Sequence, residues 1–271
     1  MIDTVTARFG LTRMPFGRDL PPSRLHRHAD CAEAAARITW AVSARTIGVI
    51  TGEVGTGKTA AVRAAVAGLD PAGHNVIYVG NPATGVRGIL AAAVTALGGR
   101  PAHGTAALAA QAWNVLAGEA AERGRTPVLV IDEAHLLDHE QLEAVRLLTN
   151  HEMDSSTPFA TILVGQPTLR HNIKLGVLAA LDQRITVRYQ MKGMTPDETA
   201  SYIRHHLEEA GRTADLFTDD AIAQVHQAAR GKPRTVNNIA VAALIATAVA
   251  GKNLVDHAAA RAAIAEVTAT D

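Results

Sequence analysis

The residues with the most specific chemistry are Gly52-Glu53-Val54-Gly55-Thr56-Gly57-Lys58-Thr59, which match G-x-x-x-x-G-K-[ST] in full. Between a strand and a helix, such a run wraps backbone N–H groups around a phosphate chain at a helix N-terminus. Lys58 is placed to bring a point charge to the β- and γ-phosphates, and the Thr59 hydroxyl to bind Mg²⁺. Gly52, Glu53, Val54, Gly55, Thr56, Gly57, Lys58, Thr59 and the following Ala60 are the expected nucleotide contacts. Farther on, Val128-Leu129-Val130-Ile131 runs into Asp132-Glu133. A buried strand of this kind puts Asp132 at its carboxyl end, where open α/β sheets bind ligands. Asp132 would hold Mg²⁺ through water, and Glu133 would orient or deprotonate an attacking water. The acidic pair favours hydrolysis over nucleotide binding alone. His135 reads as a structural partner rather than a catalyst.

Three further polar residues sit where they would act on a phosphate. Gln166 ends the run Leu163-Val164-Gly165 and is placed to reach a γ-phosphate or the lytic water; otherwise it is a turn residue before Pro167. Arg184, in Asp182-Gln183-Arg184-Ile185, is placed to act on a neighbouring subunit's nucleotide; the alternative is a surface arginine at a helix end, with Arg188 in reserve. Arg234, in Gly231-Lys232-Pro233-Arg234, would report the γ-phosphate; the alternative is a plain basic turn. The 12 histidines, including His26-Arg27-His28 and His205-His206, lack zinc-ligand spacing and read as solvated. Trp40 and Trp113 read as packing residues.

These residues need a scaffold, and the apolar pattern supplies one. Five short apolar runs, at 46–51, 76–80, 128–132, 160–165 and 185–189, alternate with helical stretches. This predicts a parallel sheet covered on both faces. After Gly193 only helices are expected. Thr195-Pro196-Asp197-Glu198 is a capping box, Thr218-Asp219-Asp220 caps another helix, and Pro233 and Asp256 start two more. The expected organisation is an irregular segment over 1–30, an α/β nucleotide-binding domain over 31–192 with its first helix at 31–45, and a helical lid over 193–271.

Composition bounds the rest. The chain has 271 residues, 48% hydrophobic, 19% charged and 3% aromatic, which excludes global disorder and implies an aliphatic core. Cys31 is the single cysteine, so an intramolecular disulfide framework is excluded; whether it is surface or core stays open. No signal-peptide run occurs at the N-terminus, and the longest apolar stretch, 239–250, reads as a buried helix rather than a span. A cytoplasmic protein without a membrane segment is expected. The 26 basic and 26 acidic residues give a net charge of +0, which removes any overall basic excess.

Taken together these motifs resemble an AAA+ ATPase: Walker A, Walker B, sensor 1, arginine finger and sensor 2 follow in that family's order. Phe9-Gly10-Leu11, Pro15-Phe16, Asp132-Glu133-Ala134-His135, Leu163-Val164-Gly165-Gln166-Pro167 and Gln183-Arg184-Ile185 narrow the resemblance to the ExeA/TniB group. The resemblance implies ATP and Mg²⁺ as cofactors, hydrolysis to ADP and phosphate, a five-stranded parallel sheet of order 5-1-4-3-2, and self-association into a ring or helical filament with nucleotide held between subunits. One branch of the group, similar to TniB, MuB and IstB, assembles on DNA with ATP and regulates a transposase. The other, ExeA-like, comprises secretion ATPases with a membrane segment and a cell-wall-binding region. The sequence stops soon after the expected lid, which favours the transposition branch; a secretion or envelope-assembly ATPase is the alternative.

Binding to double-stranded DNA must then come from local charge. Residues 165–192 carry a local +4, whereas 132–154 carry −6 and 193–225 carry −5. A modest basic strip per subunit adds up along a DNA backbone in a multimer. The resemblance points to Thr84 and Arg87 in the loop after the second strand, with Arg170 and Lys174 as a second candidate pair. Contacts of this kind read backbone rather than bases, so largely sequence-independent binding is expected.

Overall fold

The computed structural model describes residues 2–17, 19–150 and 157–269. The chain divides into two compact units, one of residues 1–32, 54–57 and 192–271 and one of residues 33–53 and 58–191.

The second unit is built on strands β1 (Ile47–Gly52), β2 (His74–Val79), β3 (Thr126–Ile131), β4 (Ala160–Gly165) and β5 (Ile185–Met191), all parallel, in the order β2-β3-β4-β1-β5. This is the expected 5-1-4-3-2 order. Parallel neighbours cannot be joined by tight turns, so helices make the crossovers. They are α3 (Lys58–Ala67), α4 (Gly85–Ala96) with α5 (Thr105–Arg123), α6 (His139–Leu148), and α7 (Pro167–Ile173) with α8 (Ala179–Arg184). Every residue of β1, β3 and β4 is buried, as continuous apolar runs require. β5 is an edge strand whose Ile185, Val187 and Met191 are buried while Thr186 and Gln190 are exposed, which accounts for its weaker apolar pattern. The core joins Ile131 and Leu163 of the sheet, and Phe159 just before β4, to Leu90, Leu116 and Leu142 of the covering helices. β1 lies between β4 and β5, so the order reverses beside it and opens a crevice at the strands' carboxyl ends.

The first unit is helical: α1 (Ile2–Phe9), α9 (Pro196–Glu209), α10 (Asp219–Ala229), α11 (Pro233–Val249) and α12 (His257–Thr268). Thr195 and Glu198 form the expected capping box, and Thr218 and Asp256 cap their helices. The start of the chain is not the irregular segment expected. Residues 2–9 are helical, and Val5 and Phe9 share a core with Ile203, Leu207, Ile239 and Leu244. Eight residues that include two threonines carry little helix signal of their own; burial of two apolar side chains one turn apart supplies the rest. Helix α2 (Ala29–Ser43) begins two residues before its expected start. Its buried stripe runs through Cys31, Ala34, Ile38 and Ala41, so Cys31 is core. Trp40 lies off that stripe and is 53% exposed, against its reading as a packing residue. Among the described residues no helix is long and apolar enough to cross a membrane.

Candidate functional site

The site is built by strand ends and the turns that follow them. β3 delivers Asp132, 4% exposed, and the Asp132 N–H extends the ladder to Val79 O at 2.9 Å. The next residue, Glu133, has φ +53° and ψ +31°, a left-handed conformation uncommon for a non-glycine residue. Its N–H turns back onto Asp132 Oδ1 at 2.9 Å, and the chain enters a short 3₁₀ turn over Ala134–Leu136. Strain of this sort collects at functional sites.

Lys58 is the first residue of α3 and nearly buried; its Nζ donates to the carbonyls of Gly52 at 2.9 Å and Glu53 at 3.0 Å. Thr59 Oγ1 donates to Asp132 Oδ2 at 2.9 Å, so the two expected Mg²⁺ residues already meet. A hydroxyl and a carboxylate are the hard oxygen donors that Mg²⁺ takes. In the other unit, Gly55 and Gly57 hold φ +83° and +92°, which side chains other than glycine rarely adopt. There the Arg234 N–H donates to Gly55 O at 3.2 Å, and a Cβ at Gly55 would come within 3.0 Å of Arg234 Cβ. The glycine is thus needed for close approach of that helix start as well as for its backbone angle.

Gln166 is the residue before α7, but its side chain does not cap that helix. Its Nε2 lies 2.9 Å from His135 Nε2, and His135 Nδ1 lies 3.3 Å from Glu133 Oε2. Gly165 makes this approach possible, since a Cβ there would fall 3.1 Å from the His135 backbone nitrogen. Thr59, Asp132, Glu133 and Gln166 are therefore linked through direct contacts or through His135, while Lys58 stays on the Gly52 and Glu53 carbonyls. Arg184 ends α8 and donates to Thr149 Oγ1 at 3.1 Å and Asn150 Oδ1 at 2.6 Å. Arg188 pairs with Asp182 at 2.9 Å. Burial raises the Asp182 carboxyl, but Lys174 and Arg188 outweigh it and hold the group below its usual range.

The four DNA candidates are exposed but fall in two separate places. Arg87 donates to His103 O at 2.6 Å, beside Thr84 at the start of α4. Arg170 donates to Gln190 Oε1 at 2.7 Å, and Lys174 to Asp182 at 3.1 Å. Two of the basic groups behind the local +4 thus share the segment's one acid. Of the acids in 132–154, Glu152 and Asp154 lie outside the described residues.

Two features escaped the sequence. Tyr78 on β2 donates to Asp132 Oδ2 at 2.9 Å; its only signal was a hydroxyl-bearing ring in an apolar run that turned out to adjoin β3. His26, His205 and His206, read as solvated, form an aromatic cluster with Phe16 and Tyr202, and His206 and the nearby His28 are buried. His26 in a loop and His205-His206 on α9 are far apart in the sequence, so no spacing reveals this.

Comparison with known proteins bears on the fold. Residues 41–173 match the family model described as AAA domain. General secretion pathway protein A of Aeromonas hydrophila is 33% identical over 257 residues, covering 93% of this chain. The chain spans only 46% of that relative's length. Among solved structures, Cdc6p of Pyrobaculum aerophilum superposes with a TM-score of 0.68 at 17% identity, covering 89% of this chain and 67% of that one. The ORC1 protein of Aeropyrum pernix, in complex with DNA, gives 0.61 at 19% identity, over 93% and 67%. The chain has the fold of the AAA+ P-loop proteins, and its residues 41–173 match the AAA domain model.

Proposed function

We propose that the chain binds Mg²⁺-ATP and hydrolyses it to ADP and phosphate, with residues 31–192 as the nucleotide-binding domain and 193–271 as its lid. The observation that carries this is the Lys58–Thr59–Asp132–Glu133 arrangement, with Thr59 on Asp132 at 2.9 Å and Glu133 turned out of the strand line. Backbone N–H groups of 52–60 would cradle the phosphates, and Lys58 would leave the Gly52 and Glu53 carbonyls for phosphate oxygens. Thr59 and Asp132 would hold Mg²⁺, which supplies charge neutralisation at the β- and γ-phosphate oxygens. Glu133 would take a proton from water as the water oxygen bonds to the γ-phosphorus and the bridging oxygen leaves with ADP. Gln166 and Arg234 would contact the γ-phosphate, and Arg184, or Arg188, would act on a neighbouring subunit's nucleotide.

The output of the cycle is ATP-dependent self-association, into a ring or filament, on double-stranded DNA, where the assembly regulates a transposase. The structural neighbour solved with DNA supports a nucleic-acid client. A second reading, a secretion or envelope-assembly ATPase acting on protein complexes, is supported by the 33% identity to general secretion pathway protein A. Electron microscopy with duplex DNA, with and without ATP, tests the choice: ATP-dependent rings or filaments on DNA support the first reading. No ATP-dependent DNA association at low salt sinks it and leaves the second. Lys58→Ala abolishes nucleotide binding in either case, measured by calorimetric titration with Mg²⁺-ATP; retained affinity would overturn the site.

A further inference from the structure

The 3₁₀ turn after β3 carries an imidazole that faces two functional side chains at once. Nδ1 of His135 lies 3.3 Å from the Glu133 carboxylate, and Nε2 lies 2.9 Å from the side-chain nitrogen of Gln166. The ring is 12% exposed, whereas Glu133 is 48% exposed and has little else to fix it. An amide nitrogen donates and cannot accept, so with Gln166 in this orientation Nε2 of the ring accepts. The neutral ring then carries its proton on Nδ1, the nitrogen that lies 3.3 Å from the Glu133 carboxylate.

The opposite tautomer is also self-consistent. The Gln166 backbone N–H points at Nδ1 from 3.4 Å, a long contact that only an unprotonated Nδ1 satisfies. In that state the side-chain amide is turned so that its oxygen accepts from Nε2–H, and the Nδ1 lone pair faces Glu133 and gives it no hydrogen bond. One proton leaves Nδ1 and one is gained at Nε2, so the ring's charge does not change. The amide NH₂ of Gln166 has two N–H bonds, so one can meet a phosphate oxygen while the other stays on Nε2 and the ring keeps Nδ1–H during hydrolysis.

We propose that His135 is a positioning residue for Glu133, holding the carboxylate through Nδ1–H, and that the amide orientation of Gln166 selects the tautomer that holds or frees it. This rests on the reading of Glu133 as the general base. The juxtaposition exists because Glu133 takes a left-handed turn and Gly165 lets the end of β4 approach the turn.

The tautomer is directly observable. In the nucleotide-free full chain with ¹⁵N-labelled histidine, with His135 assigned by its loss in His135→Asn, the expected signature is a protonated Nδ1 and an unprotonated Nε2. In Gln166→Leu the backbone N–H becomes the only donor to the ring, so the proton moves to Nε2. An Nε2–H ring in the unsubstituted protein overturns the proposal. Steady-state hydrolysis gives the second arm. Asn places an amide N–H where Nδ1–H was, whereas Gln places its amide near Nε2. The expected kcat of His135→Asn is within about threefold of the unsubstituted protein, and that of His135→Gln and His135→Ala falls about tenfold, with KM for ATP unchanged in all three. Equal losses in Asn and Gln, or full kcat in Ala, overturn the positioning role. Absence of hydrolysis by the unsubstituted protein overturns the ATPase reading instead, and the NMR result then decides the tautomer alone.

Discussion

The two units bury polar groups in opposite ways. In the α/β unit the buried ionisable groups are ones built to carry charge: Lys58 at 8% exposure, Asp132 at 4% and Glu119 at 2%. Each is matched by several partners, as buried charge requires. Glu119 accepts from Asn75 at 3.1 Å and meets Arg123 at 2.8 Å and Arg125 at 2.6 Å. Burial raises its carboxyl, but the Asn75 hydrogen bond and the two guanidinium groups outweigh it and hold the group below the usual range. The helical unit instead buries neutral rings. His206 stacks on Phe16 at 5.2 Å and tilts against Tyr202 at 4.4 Å. Burial first, then His205 beside it, pushes His206 down to about 3; the same causes push His26 down to about 4. One unit keeps charge in place for chemistry, and the other keeps charge out for packing.

The sharpest way to break the first half of this contrast is to remove the charge of Glu133 and keep its shape. Glu133→Gln leaves the left-handed turn and the Asp132 contacts in place, so ATP still binds. Hydrolysis is expected to fall about 100-fold or more, the scale of a lost general base. Single-turnover hydrolysis beside a nucleotide-binding titration checks both halves. Hydrolysis at the unsubstituted rate would remove Glu133 from the mechanism.

Acid separates the units next. The unfolded chain protonates its histidines near 6.5, whereas folded His26 and His206 wait until about 4 and about 3. Between those values the unfolded state binds more protons, so the helical unit loses stability as pH falls from 6.5, at about 1.4 kcal/mol per pH unit for each fully engaged ring. Glu119, with its lowered pKa, contributes stability that is complete above the unfolded value of 4.5 and is lost only as pH falls below it. Hydrogen exchange at pH 7 and pH 5 is therefore expected to speed in α9 and α10 while α5 and β3 hold. His206→Phe should flatten the pH dependence; an unchanged slope would mean the ring does not titrate with unfolding. At neutral pH the ordering reverses. Glu119→Gln keeps the shape and one acceptor but loses the charge-assisted bonds, and is expected to cost about 1–3 kcal/mol by denaturant unfolding. The reasoning fails if the variant is as stable as the parent.

The sequence displayed one unit better than the other, for a physical reason. β1, β3 and β4 are buried on both faces, so their apolar runs are unbroken, and the phosphate loop, Asp132-Glu133 and Gln166 all sit at their carboxyl ends. Contiguous residues at a strand end announce both the element and the site. The capped helices of the other unit were legible from Thr195, Thr218 and Asp256. What stayed hidden depends on contacts far apart in sequence. Phe16 meets His206 and His26 meets Tyr202 only because the chain's start folds onto α9. His135 read as a structural partner because nothing in Asp-Glu-Ala-His shows that β4 ends against it.

Tyr78 is the mildest test of the claim that the α/β unit secures its charge through shared partners. Its hydroxyl donates to the same Asp132 oxygen as Thr59, each at 2.9 Å. Burial first, then the bond to Asp132, pushes the phenol up to about 12, so it remains a donor at any working pH. Its ring is half exposed, so Phe fills the space without a cavity. Tyr78→Phe leaves Asp132 with Thr59 and the Glu133 N–H, a smaller loss than that of any charged partner. One hydrogen bond to a carboxylate at a half-exposed site is worth about 1.5 kcal/mol. The Mg²⁺ concentration for half-maximal hydrolysis is therefore expected to rise about tenfold, with kcat at saturating Mg²⁺ unchanged. A loss of kcat that excess Mg²⁺ does not restore would mean that Tyr78 acts on the reacting groups themselves, and that charge in this unit is held by fewer partners than the geometry implies.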